Sequence, residues 1–187
     1  VQRMKDEGFA VPAVVERMLE KGAGTWYVVE DGVHKYWDVA TEAYVPVPID
    51  DRLIFIDDLK RADKVLATNP GATIYDMGDG VGLVEFHTKM NSIDNSIGEM
   101  LMKAVEMVND GELVGLVIGN EADNFSVGAN VALVNIYAVN DQYDEIEALV
   151  KDLQDTLMAL RACEGPVVTA PRGMALGGGG EIVMHGD

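Results

Sequence analysis

The chain has 187 residues, 48% of them hydrophobic and 25% charged, the balance of a globular protein of one domain or of a domain with a piece of another. Against 32 Asp and Glu stand 14 Lys and Arg, and the net charge of −18 argues against nucleic acid or an anionic membrane as a partner. A single cysteine, Cys163, rules out an internal disulfide and suits a reducing cytoplasm. No apolar run approaches the ~20 residues of a membrane span, and no basic-then-apolar leader is present. We read the chain as an internal fragment of a longer protein.

Residues 1–21 read as helical, with Val14, Val15, Met18 and Leu19 on one side and Pro12 at a first helical position. Residues 22–24 end the helix. Trp26-Tyr-Val-Val-Glu30 and Val33-His-Lys-Tyr-Trp-Asp38 flank Asp31-Gly32, the signature of a two-residue hairpin turn. Residues 44–47 would add a third strand. The aromatic side chains here (Trp26, Tyr27, Tyr36, Trp37, Tyr44) are expected to pack on one face rather than to bind a ligand. His34 has no second His or Cys nearby, so no metal is expected. Residues 46–70 read as a connector, with Asp57 or Asp58 capping a short helix through Lys60 and Ala67. Asn69-Pro-Gly71 is a turn, and a domain boundary is expected at about residue 72.

Beyond it, Ile74-Tyr-Asp-Met77, Gly78-Asp-Gly80 and Val81-Gly-Leu-Val-Glu-Phe86 read as a hairpin. Lys89-Met-Asn-Ser92 is a loop. Asp94 or Ser96 is a candidate cap for a helix carrying Ile97, Met100, Leu101, Ala104, Val105 and Val108 at helical spacing, ending at Asn109-Asp-Gly111. Residues 113–119 suit a buried strand, and a helix is expected from Val131 to Val139. Residues 143–161 place Ile146, Leu149, Val150, Leu153, Leu157 and Leu160 on one helical face. Residues 166–170 form a last strand. Strands thus alternate with helices, an α/β arrangement with largely parallel strands.

Two stretches carry candidate chemistry. Gly173-Met-Ala-Leu-Gly-Gly-Gly-Gly-Glu181 follows a strand and opens a helix. Its glycines leave the main chain open to a ligand, and amides at a helix start have no intrahelical acceptor and carry partial positive charge. An oxyanion would be stabilised there, and Glu181 is placed to handle a proton of a group bound by those amides. The bland alternatives are a tight strand–helix junction and an acid favouring a helix N-terminus. Residues 120–130 repeat the logic after the strand at 113–119. No Gly-Lys-Ser/Thr is present, so a nucleotide phosphate loop is excluded.

Phe125-Ser-Val-Gly-Ala-Asn-Val131 resembles the first oxyanion-loop motif of the crotonase (enoyl-CoA hydratase/isomerase) superfamily. Residues 173–187 resemble the second, and Lys89-Met-Asn-Ser92 resembles a turn of the same family. The resemblance runs from about Ile74 to Asp187. It implies a ββα spiral, truncated at its C-terminus, over residues 73–187. It implies that the backbone N–H groups of Val127 and Gly178 hold a thioester carbonyl, that Glu181 is the first of two catalytic glutamates, and that coenzyme A contacts Met90, Val127, Gly128 and Ala129. The second glutamate is expected beyond Asp187, so that this piece alone is not expected to hydrate. Asn130 stands where the family usually has Asp. Residues 1–72, a small helix-plus-hairpin segment, more weakly resemble the tail of a 3-hydroxyacyl-CoA dehydrogenase, as in fused β-oxidation enzymes.

The resulting expectation is an enoyl-CoA hydratase module acting on acyl-CoA without a cofactor or metal of its own; NAD is implied only for a dehydrogenase part outside the chain. A homo-oligomer is compatible with it. The alternatives are a non-catalytic acyl-CoA-binding or assembly module, and another activity of the superfamily such as an isomerase or hydrolase.

Overall fold

A computed structural model describes residues 1–48, 50 and 52–187. Ile49 and Asp51, in the connector, lie outside the described residues. The chain forms two compact units, Val1–Leu53 and Ile54–Asp187.

The first unit holds two short helices, α1 (Gln2–Asp6) and α2 (Ala13–Glu20), and an antiparallel sheet of β1 (Tyr27–Glu30), β2 (Val33–Asp38) and β3 (Ala43–Pro46) in that order. The single helix expected over residues 1–21 is two helices. Gly8 turns left-handed (φ 80°) after the first, and Pro12, at φ −59° and ψ 136°, caps the second from outside instead of being its first residue. Asp31 and Gly32 both take positive φ, as the hairpin turn requires. Met18, Ala23 and Trp37 form a small core, and Tyr44 meets the Trp37 ring edge-on at 5.4 Å. Only part of the aromatic set is packed: Tyr27 is 73% exposed and Trp26 is also exposed.

The second unit begins with α3 (Ile56–Arg61) and is organised on a five-stranded sheet. Its strands are β4 (Val65–Thr68), β5 (Ala72–Asp76), β6 (Val81–Phe86), β8 (Gly115–Gly119) and β10 (Val167–Ala170), in spatial order β10-β8-β6-β5-β4. The first three in that order run parallel, and β6-β5-β4 is an antiparallel meander, so the sheet is mixed. Residues 65–68 were expected as helix; they are the edge strand. The expected boundary at about residue 72 therefore falls inside this unit. β4 pairs with β5, and Ile56 packs with Tyr75 and Leu83. Neither Asp57 nor Asp58 is the cap of α3: that position is Phe55, and the carboxylate of distant Glu121 accepts the Ile56 N–H at 3.1 Å.

Helix α4 (Asn95–Asn109) packs on β5, β6 and β8, and α6 (Tyr143–Arg161) packs on α4. Asp94 caps α4, its carboxylate accepting the Ile97 N–H at 3.1 Å. All six residues of the expected α4 stripe are buried, with Ile97, Leu101 and Ala104 at 0% exposure. They meet Ile74, Val84, Leu116, Ile118 and Phe125 in one core. On α6 only the C-terminal end of the stripe, Leu157 and Leu160, is buried. Between these helices α5 (Val131–Val139) carries no charged residue and buries none of its side chains. Residues 92–93 (β7) and 128–129 (β9) pair in parallel, and α7 (Gly178–Met184) closes the chain.

Candidate active site

Two loops leave the ends of parallel strands. The first follows β8. Asn120 ties it, donating from Nδ2 to the Phe125 carbonyl at 3.1 Å and accepting the Ala122 N–H at 3.1 Å. Phe125 is fully buried, tilted against Phe86 at 5.9 Å, and so anchors the loop in the core. Ser126 is also fully buried. Its hydroxyl donates to the Asn91 carbonyl at 2.6 Å and accepts the Gly128 N–H at 3.0 Å. Asn130 caps α5 through the Leu133 N–H, at 3.3 Å, which is the physical use of the residue standing where Asp is usual.

The second loop follows β10 and lies directly against the first. The carbonyls of Arg172 and Met174 accept the N–H groups of Phe125 and Ser126 at 2.7 and 3.1 Å, and the Ser126 carbonyl accepts the Leu176 N–H at 2.9 Å. Ser126 and Ala175 thus form an isolated parallel bridge. The Asn124 side chain accepts the Met174 N–H at 3.0 Å. The pairing leaves no room for a side chain at Gly128. A Cβ on Gly128 (φ 87°) would stand 2.6 Å from the Leu176 carbonyl oxygen. Gly177, at φ 48° and ψ −125°, turns the chain into α7 in a conformation that favours glycine.

Among the described residues this arrangement leaves several main-chain donors over, those of Val127 and Gly178 among them. Gly178 is the first residue of α7 and its N–H has no intrahelical acceptor. Among the described residues, neither it nor the Val127 N–H donates to a protein group. Glu181 sits one turn along α7, exposed, with Oε2 3.9 Å from where a Cβ on Gly178 would be. Its own carbonyl is hydrogen-bonded to His185 Nδ1 at 2.7 Å. The turn at residues 89–91 is held to the first loop by Asn91, whose Nδ2 donates to the Asn124 carbonyl at 3.0 Å. Met90 and Asn91 in that turn are left-handed, at φ 58° and 51°.

Of the expected site residues, Val127 and Gly128 fall on the first of the two apposed loops, and Gly178 and Glu181 on the first turn of α7, which the second loop opens. Met90 is on the turn stapled to them, 59% exposed. Ala129 lines a cavity of 590 Å³ between α4 and α6. Sequence reasoning missed that cavity and the fastening roles of Asn91, Asn124 and Ser126. The readable signal for those roles was short polar side chains set beside glycines and buried runs. Among the described residues no group of three His, Cys, Asp or Glu side chains is placed to hold a metal ion.

The family model for enoyl-CoA hydratase/isomerase matches residues 76–187, more than half of the chain. The chain belongs to the enoyl-CoA hydratase/isomerase family. This crotonase-family chain is 37% identical over 183 residues to a Bacillus subtilis (strain 168) protein named as a 3-hydroxyacyl-CoA dehydrogenase, the match covering 98% of the chain but 23% of that protein. It is 30% identical over 129 residues to a Rickettsia prowazekii (strain Madrid E) protein named as a trifunctional enzyme of a fatty acid oxidation complex, covering 68% of the chain and 18% of that protein. The chain therefore spans under a quarter of the length of these relatives. Among solved structures, the fold matches an enoyl-CoA hydratase/carnithine racemase of Magnetospirillum magneticum at TM-score 0.57 and 21% identity, over 64% of the chain and 45% of that structure. It matches an enoyl-CoA hydratase of Bacillus anthracis at TM-score 0.55 and 19% identity, over 63% and 45%. Over nearly two thirds of its length the chain thus has the crotonase fold.

Proposed function

We propose that the chain is the hydratase module of a longer fatty-acid β-oxidation enzyme, adding water across the double bond of 2-enoyl-CoA thioesters. The observation that carries this reading is the Ser126–Ala175 bridge, which lays one loop against the other and leaves the Val127 and Gly178 N–H groups unpaired.

In this reading the thioester carbonyl oxygen accepts both N–H groups. As the oxygen of water bonds to the β-carbon, the π electrons move toward that carbonyl, and the two amides hold the enolate oxygen. One such donor is typically worth about 2.7–4 kcal/mol of transition-state stabilisation. The Glu181 carboxylate orients the water and takes its proton. A second acid, outside residues 1–187, delivers a proton to the α-carbon. Coenzyme A lies along Met90 and residues 127–129, where main-chain groups offset the acidic field of the chain. The step needs no metal or cofactor. Its product, a 3-hydroxyacyl thioester, is the substrate class of the dehydrogenase named in the Bacillus relative. We assign an NAD-dependent dehydrogenase to the rest of the protein, with residues 1–72 as its tail, and place the enzyme in the cytoplasm. Among the described residues no helix is long and apolar enough to cross a membrane.

The test is a spectrophotometric hydration assay of crotonyl-CoA with the complete protein. Formation of 3-hydroxybutyryl-CoA supports the reading. Binding without turnover identifies a non-catalytic module, and double-bond migration or thioester cleavage without hydration identifies a different crotonase activity.

A further inference from the structure

Helix α3 stands ahead of residues 76–187, which carry the family match, yet it belongs to the second compact unit and follows the end of the first at Leu53. The hydration step as derived above makes no use of it. Its place is nevertheless firmly set. Ile56 is buried with Tyr75 and Leu83, Leu59 packs beside them, and Lys60 Nζ donates to buried Glu85 on β6 at 2.9 Å. One further bond leaves α3 for the site: Glu121 Oε1 accepts the Ile56 N–H at 3.1 Å. Ile56 is the first residue of the helix, where an N–H has no intrahelical acceptor, and a charged acceptor makes such a bond stronger than a neutral one.

Glu121 is the second residue after β8, at the root of the first loop. Its main chain is held by the second loop. Arg172 Nη1 donates to the Glu121 carbonyl at 3.3 Å, while the Arg172 carbonyl accepts the Phe125 N–H at 2.7 Å. The contact stays close over the next residues. A Cβ on Gly173 would stand 2.0 Å from the Asp123 carbonyl oxygen, and Asn124 Oδ1 accepts the Met174 N–H at 3.0 Å. Three segments far apart in sequence thus meet at Glu121, with α3 on its side chain and the second loop on its main chain. A displacement of residues 121–124 would carry residues 172–174 with it, and so change the spacing of the Val127 and Gly178 amides.

We propose that Glu121 is a positioning residue for hydration: it ties the first loop to α3 and, through Arg172 and Gly173, fixes how the two loops present those amides. The proposal rests on the hydratase reading for its rates. It is tested on the complete protein. Glu121→Ala removes the acceptor, whereas Glu121→Gln keeps an oxygen in its place. In Glu121→Ala, kcat for crotonyl-CoA should fall about tenfold, the effect of a misplacement of roughly 0.5 Å, with KM within about twofold. Glu121→Gln should recover most of that loss. From the α3 side, Ile56→Pro deletes the same bond. Proline is favoured at a first helical position, and Phe55 before it is already extended (φ −102°, ψ 132°). Ile56→Ala controls for the lost side chain. The kcat of Ile56→Pro should lie about tenfold below that of Ile56→Ala, and adding Glu121→Ala to Ile56→Pro should cost nothing further. Hydrogen exchange gives a readout independent of activity: amides of residues 172–178 should exchange about tenfold faster in Glu121→Ala and at the wild-type rate in Glu121→Gln. Faster exchange confined to α3, with kcat of Glu121→Ala close to that of the wild type, makes Glu121 only a helix cap and overturns the proposal. So does a Glu121→Gln variant no better than the alanine. If the wild type does not hydrate crotonyl-CoA while exchange at residues 172–178 responds as stated, the hydratase reading fails and the tie between α3 and the loops stands.

Discussion

Replacing Gly128 by alanine tests the crossing of the two loops. Gly128 is left-handed, a conformation that costs an L-residue about 1–2 kcal/mol. The new Cβ would also stand 2.6 Å from the Leu176 carbonyl oxygen, 3.3 Å from its carbon and 3.4 Å from the Gly177 Cα. These are main-chain atoms held by the Leu176–Ser126 hydrogen bond, so no side chain can swing away. Overpacking of this kind typically costs about 1–3 kcal/mol, for a total of about 2–5 kcal/mol and a fall in Tm of about 4–20 °C. To reach ordinary contact the loops must part until 2.6 Å becomes at least 3.4 Å. A misplacement of about 1 Å can reduce a rate about 10²-fold, so kcat/KM for enoyl thioesters should fall by about that factor even well below Tm. Gly111→Ala is the control: Gly111 is also left-handed (φ 78°), but a Cβ there meets nothing within 4 Å. Calorimetry and hydration rates of the two variants decide the matter. If Gly128→Ala loses no more Tm than Gly111→Ala and keeps activity within about threefold, the steric argument is wrong.

Ser126→Ala should cost about 1–3 kcal/mol, because it strips the buried Asn91 carbonyl and Gly128 N–H of their shared partner; urea unfolding measures this, and a change below 0.5 kcal/mol would mean that water replaces the hydroxyl. Glu85 should govern alkaline stability. Buried Glu85 accepts from Lys60 Nζ at 2.9 Å and from the Tyr75 hydroxyl at 3.1 Å. Burial opposes the charge on Lys60, but the bond to and charge of Glu85 outweigh it and raise its pKa; burial first, then Glu85, raises that of Tyr75. Both folded values thus lie above the ordinary 10.5 and 10.0, so the stability they contribute is complete below about pH 10 and is lost as pH rises through the folded values. Urea midpoints from pH 8 to 11 should fall more steeply for the wild type than for Glu85→Gln; parallel slopes would show the network to be irrelevant to that loss.

The legible parts of this chain were those with strong periodicity. The α4 stripe from Ile97 to Val108 and the Asp31-Gly32 turn emerge in the structure where the pattern placed them. Residues 65–68 did not, because Val65-Leu-Ala-Thr68 is too short to show a period, and its strand identity comes from pairing with β5 across a turn. The boundary near residue 72 shifted for the same reason. The two glycine-rich stretches could be recognised as loops of one kind, but their apposition depends on Ser126 meeting Ala175, a contact between positions far apart in sequence. The cavity was hidden because the residues that line it, such as Leu149 and Leu153 on α6, read as ordinary core.

The central claim is that Glu181 moves a proton while the amides of Val127 and Gly178 hold the thioester. The most direct measurement is the hydration of crotonyl-CoA by the complete protein and by its Glu181→Gln variant, at saturating and limiting substrate. Glutamine keeps the size and can hold a water but accepts no proton, and such general acid–base contributions are typically worth about 10²–10⁴ in rate. The account predicts that kcat falls by about that factor with KM nearly unchanged, because the amides bind the carbonyl in either variant. A variant that retains wild-type kcat would reduce Glu181 to an acid favoured at a helix N-terminus and contradict the account.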